Sequence, residues 1–592
     1  MAAELPPKAR ARNSFALAAA LVGSLAPGCR REPPPRGPQA LLERPTVEGR
    51  LAGAQRLTAG GETRPALVEP ASYRLRLPPR PLLTFGAGVA KLDAEGSAPG
   101  FRLTVKADRR LLFRRSFSAR EAGAFADFSL PLEAGGPETT LEFDVRPQGG
   151  AGRRVARPPG ALLGVAEPTL HDLDDYGRAK GVVLISIDTL RRDHVSAYGY
   201  PRPTTPRLDA LARQGVLCED AVSTSSWTLP AHLSMLTSVD PGAHGGLDAD
   251  HGFNRRVPTL ASLLRDQGYA TRAVTSHIYV APAYGFDEGF ERFDFVEDRR
   301  ADDVAGRATL LLDQVGDRPF FLFLHFYDPH AHYSPPPATR VLFPSRYAGP
   351  LQGLLTHFHR RTSARMPPDY LEHLRSLYDG EIRFVDDQIG RVLDHIRARG
   401  LERSTLVLVT SDHGEEFLDH GSWTHGRTLY EEIVRIPLIV HGPGVAPRRE
   451  AGQASLLDVA PTILAWAGLP RPSHAQGRSL LQPVGEREAF GDKGHAKGGA
   501  RKLFLRGGQG RVKLILSLDP EQDRIRGEEW YDLRADPAER RSSPPAPELA
   551  ETIRQRALAR WRETRGRGAA GPGVRLTPEQ IEQLKALGYL GT

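Results

Sequence analysis

Three stretches of this chain are apolar at nearly every position, and each ends in a residue able to bind a cation or a proton. They are Val182-Val-Leu-Ile-Ser-Ile-Asp188, Pro319-Phe-Phe-Leu-Phe-Leu-His325 and Thr405-Leu-Val-Leu-Val-Thr-Ser-Asp-His413. A strand that is apolar on both faces must be covered on both, the condition of a parallel sheet held between helices. Such folds place their ligands at the carboxyl ends of the strands. Asp188, Asp412 and His413 therefore read as candidate metal ligands gathered along one sheet edge. A lone Asp at a strand end is as readily a cap or a turn residue. Three such ends together point to a site.

A fourth element is Ser225-Ser-Trp-Thr-Leu-Pro-Ala-His-Leu-Ser-Met-Leu-Thr-Ser238. Pro230 favours the first turn of a helix, and Leu233 and Leu236 continue its apolar spacing. The hydroxyl of Thr228 would then lie at the positive end of the helix dipole, where an anionic ester also settles. Thr228 is thus a candidate nucleophile. By itself the position suits an N-cap equally well.

The chain has 592 residues, more than one core usually organises, so two or three domains are expected. Its only cysteines, Cys29 and Cys218, exclude a disulfide-stapled scaffold and a Cys-rich zinc module. Cys218 falls in the strand-like run Gly215-Val-Leu-Cys-Glu219 and reads as a core thiol. The formal net charge of +8 is modest for this size, and no nucleic-acid partner is expected.

Residues 1–29 have the grammar of an export signal: Lys8, Arg10 and Arg12, an apolar run from Phe15 to Ala26, then small residues up to Cys29. The string Leu-Ala-Pro-Gly-Cys resembles a bacterial lipobox, with Leu25 displaced by one place. Cys29 is the expected lipidation site. The chain would then be an exported, membrane-anchored lipoprotein of the bacterial cell envelope, facing the periplasm or the exterior. Residues 30–44 form a Pro-rich linker. From 45 to 172, runs such as Tyr73–Leu77, Arg102–Ala107 and Leu141–Val145 alternate apolar and polar residues, which predicts a β-sandwich accessory domain. It could bind carbohydrate or serve only as a spacer.

The strings VVLISIDTLRRDHVSAYGYPRPTTPRLDALARQGV, SSWTLPAHLSMLTS, FLHFYDPHAHYSPP, YDGEIRFVDDQIGRVL, VTSDHGEEFLDHGSWTHG and LYEEIVRIPLIVHGPG resemble, in order, the sulfatase family of the alkaline phosphatase superfamily. The resemblance implies an α/β fold with a mixed, mostly parallel sheet and helices on both faces. It places the catalytic domain at 178–480 and a small C-terminal antiparallel α+β subdomain with a helical tail at 481–592. The strands Arg511–Leu516 and Glu529–Leu533, and the helices at 547–563 and 577–587, fit that subdomain.

Carried over by the resemblance, Asp188, Asp412 and His413 match the family's metal ligands, with Thr228 completing the set. His330 matches the histidine that holds the sulfate or the leaving group. His425 lies where a family Lys or His contacts the transferred group, and His232 stands where the signature has arginine. Thr189 replaces a second Asp. The departure of consequence is Thr228 itself, because sulfatases carry there a Cys or Ser that is oxidised to formylglycine. Thr is the nucleophile of phosphodiesterases and phosphotransferases in the same superfamily.

The implied enzyme is a metal-dependent sulfuric ester hydrolase acting on an anionic ester, such as a sulfated glycan or a lipid-linked substrate. Thr228 would attack, and His330 or His425 would protonate the leaving oxygen. One divalent ion is expected: Mn²⁺ or Zn²⁺ from the ligand set, Ca²⁺ by sulfatase analogy. A second ion on Asp328, His332 and His425 is a lesser alternative. The competing readings are a phosphodiesterase, phosphonate hydrolase or phosphotransferase, and a non-catalytic surface binding protein. The sequence specifies no oligomeric state.

Overall fold

The three apolar runs are neighbouring parallel strands. Gly181–Ile187 lies between Phe320–Phe326 and Thr405–Ser411, and all residues of the three are buried, so both faces of the sheet are covered. In this computed structural model, the described residues are 39–41, 44, 54–59, 62–78, 81–91, 100–117, 125–133, 138–148, 161–172, 181–297, 299–316, 318–349, 368–494, 501–507, 511–519, 524–567 and 570–586. The leader, Cys29 and most of the Pro-rich linker lie outside them.

Among the described residues the central sheet has nine strands. Their order is Arg292–Phe295, Ala270–Thr275, Phe320–Phe326, Gly181–Ile187, Thr405–Ser411, Leu438–His441, Val216–Val222 and Arg435–Ile436, with Arg448–Ser455 also paired to Val216–Val222. Pairing is parallel across the first five strands and turns antiparallel at Leu438–His441. Helix Ala301–Asp313 packs on two of the parallel strands, and helix Val459–Ala467 on Thr405–Ser411. Each Leu, Ile or Val side chain sealed in this way contributes about 1.5–3 kcal/mol. Cys218 is buried among them as a free thiol, as its strand-like context predicts.

Register positions the site. Ile187 pairs with Ser411, so the residues that follow, Asp188 and Asp412, leave the sheet side by side on neighbouring strands. His325 comes from the strand on the other flank, opposite Ser186.

Two further regions flank this sheet in sequence. Upstream, a six-stranded and a four-stranded antiparallel sheet, between Gln39 and Asp172, share one apolar cluster that includes Tyr73, Phe85, Leu103, Phe143 and Val165. The strand expected at Tyr73–Leu77 runs instead over Ala71–Leu75, two places earlier. Downstream, Ala489–Asp492, Arg501–Gly507, Val512–Leu518 and Ile525–Asp532 form a four-stranded antiparallel sheet. Helix Pro547–Arg567 covers it through Ala550, Ile553, Ala557 and Trp561. Helix Pro578–Ala586 begins as its Thr-Pro start requires, with the Gln580 N–H donating to Thr577 Oγ1 at 3.3 Å.

Candidate active site

Thr228 is the first residue of helix Thr228–Thr237, every residue of which is buried. The capping position is Trp227, in extended conformation, so Thr228 is not an N-cap. Its Oγ1 lies 3.4 Å from His413 Nε2. The preceding loop is held on several sides. The Asp492 N–H donates to Thr224 O at 2.9 Å, the Trp227 indole N–H to Lys493 O at 2.9 Å, and the Gly426 N–H to Ser226 O at 2.8 Å. Ser223 Oγ donates to Asp412 O. The nucleophile candidate is thereby tied to the ligand strand and to the C-terminal sheet.

Asp188, Asp412 and His413 each offer a ligand atom, and the three atoms lie within 4.8 Å of one another. His413 Nδ1 donates to Gly414 O at 2.9 Å, which directs Nε2 at the two carboxylates: 3.2 Å to Asp412 Oδ2 and 3.8 Å to Asp188 Oδ1. Those same two oxygens are buried and accept no hydrogen bond. Burial and the adjacent Asp412 push the Asp188 carboxyl well above the usual carboxylate range. Burial works against an imidazolium at His413, but Asp412 and Asp188 outweigh it and push it up to about 9. Orphaned carboxylate oxygens and a directed imidazole nitrogen form a donor set that a divalent cation would satisfy. Among the described residues no other group of His, Cys, Asp and Glu converges in this way.

The histidines divide by their partners. His425 Nδ1 donates to buried Glu415 Oε1 at 3.0 Å, while Glu415 Oε2 accepts from Tyr333 OH at 3.1 Å. A carboxylate behind an imidazole orients it and stabilises its protonated form. The His425 ring lies 4.4 Å from that of His413 and 4.9 Å from that of His330, centre to centre. His330 Nδ1 donates to Ala331 O at 2.7 Å, and burial together with His425 holds its pKa well below the ordinary value. His330 is thus neutral and offers Nε2 as an acceptor.

His232 requires a correction. Its Nδ1 donates to Thr228 O at 2.9 Å, and its Nε2 accepts from Ser186 Oγ at 2.9 Å. Both nitrogens are engaged beneath the site, and burial lowers its pKa to about 3. It supports Thr228 and Asp412 rather than facing the reacting atoms. The second-cation set is also not brought together. Asp328 Oδ2 accepts from the Ala301 N–H at 2.8 Å, and His332 is exposed.

The sequence shows His325 only as a strand end and Thr189 only in place of a second Asp, and gives no sign of Glu415, His277 or Tyr327. His325 Nε2 lies 3.3 Å from Asp188 Oδ2. Glu415 lies three residues beyond Asp412, but nothing local pairs it with His425. His277 stacks on Tyr327 at 4.7 Å, and Tyr327 on His330 at 4.5 Å. Thr189 adopts a left-handed φ of 53°, unusual for a β-branched residue, and its N–H lies 3.2 Å from Asp412 Oδ1.

A mixed α/β sheet that delivers two acids and a histidine from neighbouring strand ends to a helix-borne hydroxyl defines a hydrolase of the alkaline-phosphatase-like class. The chain belongs to the sulfatase family and is by class a sulfuric ester hydrolase: the sulfatase family model matches residues 180–469. It is similar to human N-sulphoglucosamine sulphohydrolase, 32% identical over 390 residues, 57% of this chain and 69% of that protein. Solved structures show the same fold. One, in complex with its substrate D-glucosamine-2-N,6-O-disulfate, has a TM-score of 0.54 at 20% identity and covers 66% of this chain and 98% of its own. The phosphonate monoester hydrolase of Agrobacterium radiobacter has a TM-score of 0.53 at 20% identity, covering 65% and 96%.

Proposed function

We propose that this chain hydrolyses sulfate esters of saccharides, with Thr228 as nucleophile and one divalent cation held by Asp188, Asp412 and His413. The observation that carries the reading is the meeting of two orphaned carboxylate oxygens, His413 Nε2 and Thr228 Oγ1 at one helix N-terminus. A cation there would lower the pKa of the Thr228 hydroxyl and screen the negative ester. Two carboxylates and an imidazole favour Mn²⁺ or Zn²⁺.

Thr228 Oγ forms its bond to sulfur as the bond from sulfur to the sugar oxygen breaks, and the hydroxyl proton leaves to water. His425, backed by Glu415, gives its proton to the departing sugar oxygen. Neutral His330 accepts a hydrogen bond from the leaving or entering hydroxyl. Water then attacks the sulfated threonine. His425 takes one proton from that water, and the other passes to Thr228 Oγ, restoring its hydroxyl as sulfate departs. The saccharide preference draws on the name of the human relative, an enzyme of sulfated glucosamine.

Thr228 also supports a second reading, hydrolysis of phosphate diesters or phosphonates, because threonine needs no oxidation to formylglycine. The test is turnover of nitrophenyl sulfate, phosphate monoester and phosphate diester with added Mn²⁺, Zn²⁺ or Ca²⁺. Metal-dependent sulfate turnover, abolished by Thr228→Ala, is expected. Sulfate turnover that survives Thr228→Ala would sink the nucleophile, and dominant diester turnover would install the second reading. Export with lipid anchoring through Cys29 is proposed alongside, on the leader's grammar. Cys29→Ala should move the protein out of the membrane fraction.

A further inference from the structure

The upstream four-stranded sheet runs in the order Ala71–Leu75, Thr139–Gln148, Gly100–Ala107 and Arg110–Phe117. Tyr73, Leu75, Leu103, Val105, Leu141 and Phe143 point into the apolar cluster, so the residues that alternate with them face outward. Register shows what that outer face holds. Arg102 lies directly opposite Arg146, Thr104 opposite both Asp144 and Arg114, Lys106 opposite Glu142, and Arg74 opposite Thr140. Arg74, Arg102, Arg114 and Arg146 are exposed, and Lys106 is half-buried.

Five cations and two acids therefore share the face. Asp144 accepts from Arg146 Nε at 2.9 Å, and Glu142 stands 3.9 Å from Lys106, so the face stays positive with both acids counted. Like charges directly across a sheet cost stability, and the sandwich core demands only that the inner face be apolar. The pairing of Arg102 with Arg146 is thus not a requirement of folding. From residue 173 onward Lys and Arg equal Asp and Glu in number, which leaves the positive excess of the chain upstream of the catalytic sheet.

Neighbouring strands lie about 4.8 Å apart and same-face residues along a strand about 7 Å apart, so these cations form a grid and not a pocket. A grid suits a partner with repeated negative charges, and guanidinium groups grip anionic oxygens through paired N–H bonds. Ser72, Ser116 and Thr140 lie between the cations on the same face and offer hydrogen bonds to sugar hydroxyls. A face built to dock on a bilayer carries large apolar side chains that insert. Among the described residues of this sheet only Leu111, in the edge strand, is a large hydrophobic left exposed. We infer that this face is a docking surface for a sulfated polysaccharide, separate from the Thr228 site. The choice of occupant rests on the sulfate-ester reading. Docking here would raise the local concentration of a polymeric substrate and has no part in bond making.

The probe is heparin, compared with desulfated heparin and with vesicles of phosphatidylglycerol in phosphatidylcholine. The protein is the full chain carrying Cys29→Ala, so that no acyl chain contributes, and binding is read by calorimetry. Heparin should bind about tenfold or more tightly than its desulfated form. Arg102→Gln, Arg114→Gln and Arg146→Gln together should weaken heparin binding about tenfold, the combined share of three exposed charge contacts. The same three changed to Lys keep the charge and should stay within about threefold of the parent. Arg534→Gln, Arg541→Gln and Arg562→Gln, a triple at exposed positions of the C-terminal region, should stay within about twofold. Equal losses in the two Gln triples, no loss in the first, or no preference for the sulfated polymer overturns the inference. Loss of vesicle binding in the first triple with heparin binding intact overturns it too, and gives the face to the membrane. Turnover of nitrophenyl sulfate, which every triple should keep, separates the two readings. Its absence from the parent, with heparin binding still lost in the first triple, is the failure of the hydrolase reading alone. Its presence beside unchanged heparin binding in that triple is the failure of this one.

Discussion

The acid pairs Asp328–Glu381 and Asp188–Asp412 of the catalytic domain are met in different ways. Asp328 and Glu381 are met by the protein itself. Asp328 accepts from the Ala301 N–H and Glu381 Oε1 from the Ser334 N–H at 2.8 Å, while Glu381 Oε2, which accepts no hydrogen bond, has the Arg300 guanidinium 3.5 Å away. Burial and the nearby Asp328 raise Glu381 to about 8, so this pair keeps a proton at neutral pH. Asp188 and Asp412 are set side by side by strand register, and each keeps one oxygen with no hydrogen bond. His413 Nε2 approaches both, and Thr228 Oγ1 lies 3.4 Å from that nitrogen. The first pair has a guanidinium against its unbonded oxygen; the second has an imidazole, and its two unbonded oxygens are the candidate cation ligands.

Substitution of the two pairs should separate these roles sharply. Asp412→Asn is expected to lower kcat/KM for nitrophenyl sulfate on the order of a thousandfold, since it removes a ligand and the charge that holds the cation. Glu381→Gln should cost no more than about threefold in the same assay, because it keeps the acceptor for Ser334 and touches no reacting atom. Equal losses would erase the distinction.

Next in size is the histidine pair. His425→Ala should lower kcat by about a hundredfold, the usual share of a general acid, and Glu415→Gln by about tenfold. If His330→Ala alone gave the larger fall, the acid would have to be reassigned to it.

The third comparison is thermal. Mn²⁺ or Zn²⁺ at about a hundred times its Kd should add about 2.7 kcal/mol to wild-type stability and nothing to Asp412→Asn. Without metal, Asp188→Asn should melt at or above wild type, because it relieves two buried carboxyl groups facing each other. Calorimetric melts with and without chelator read both.

The smallest effect concerns pH. Glu381 has a folded pKa of about 8, above its unfolded value, so folding takes up a proton between these limits. Its contribution to stability is complete below the unfolded carboxyl pKa and is lost as pH rises through about 8. Denaturant melts should therefore show a steeper loss of wild-type stability over this range than of Glu381→Gln.

Much of this was readable in one dimension. The three apolar runs had to be buried strands, and Asp188, Asp412 and His413 had to leave the sheet at their ends. Pro230 favoured a helix opening near Thr228, and the structure starts it there, with Trp227 in the capping position. Short segments of the upstream sheets were less exact, as the two-residue shift of Ala71–Leu75 illustrates. Alternation specifies which face a residue takes but only weakly where a strand stops.

By itself, then, the sequence determined which acids and histidines end the buried strands and that Thr228 opens a buried helix, because burial periodicity is a local property of the chain. Tertiary structure alone decided what each histidine does. His232, His330 and His425 look alike in sequence, yet one is engaged beneath Thr228, one is held neutral against Ala331, and one is backed by Glu415. The role of an ionisable group is set by the partners that packing brings to it, and for these residues packing draws them from distant parts of the chain.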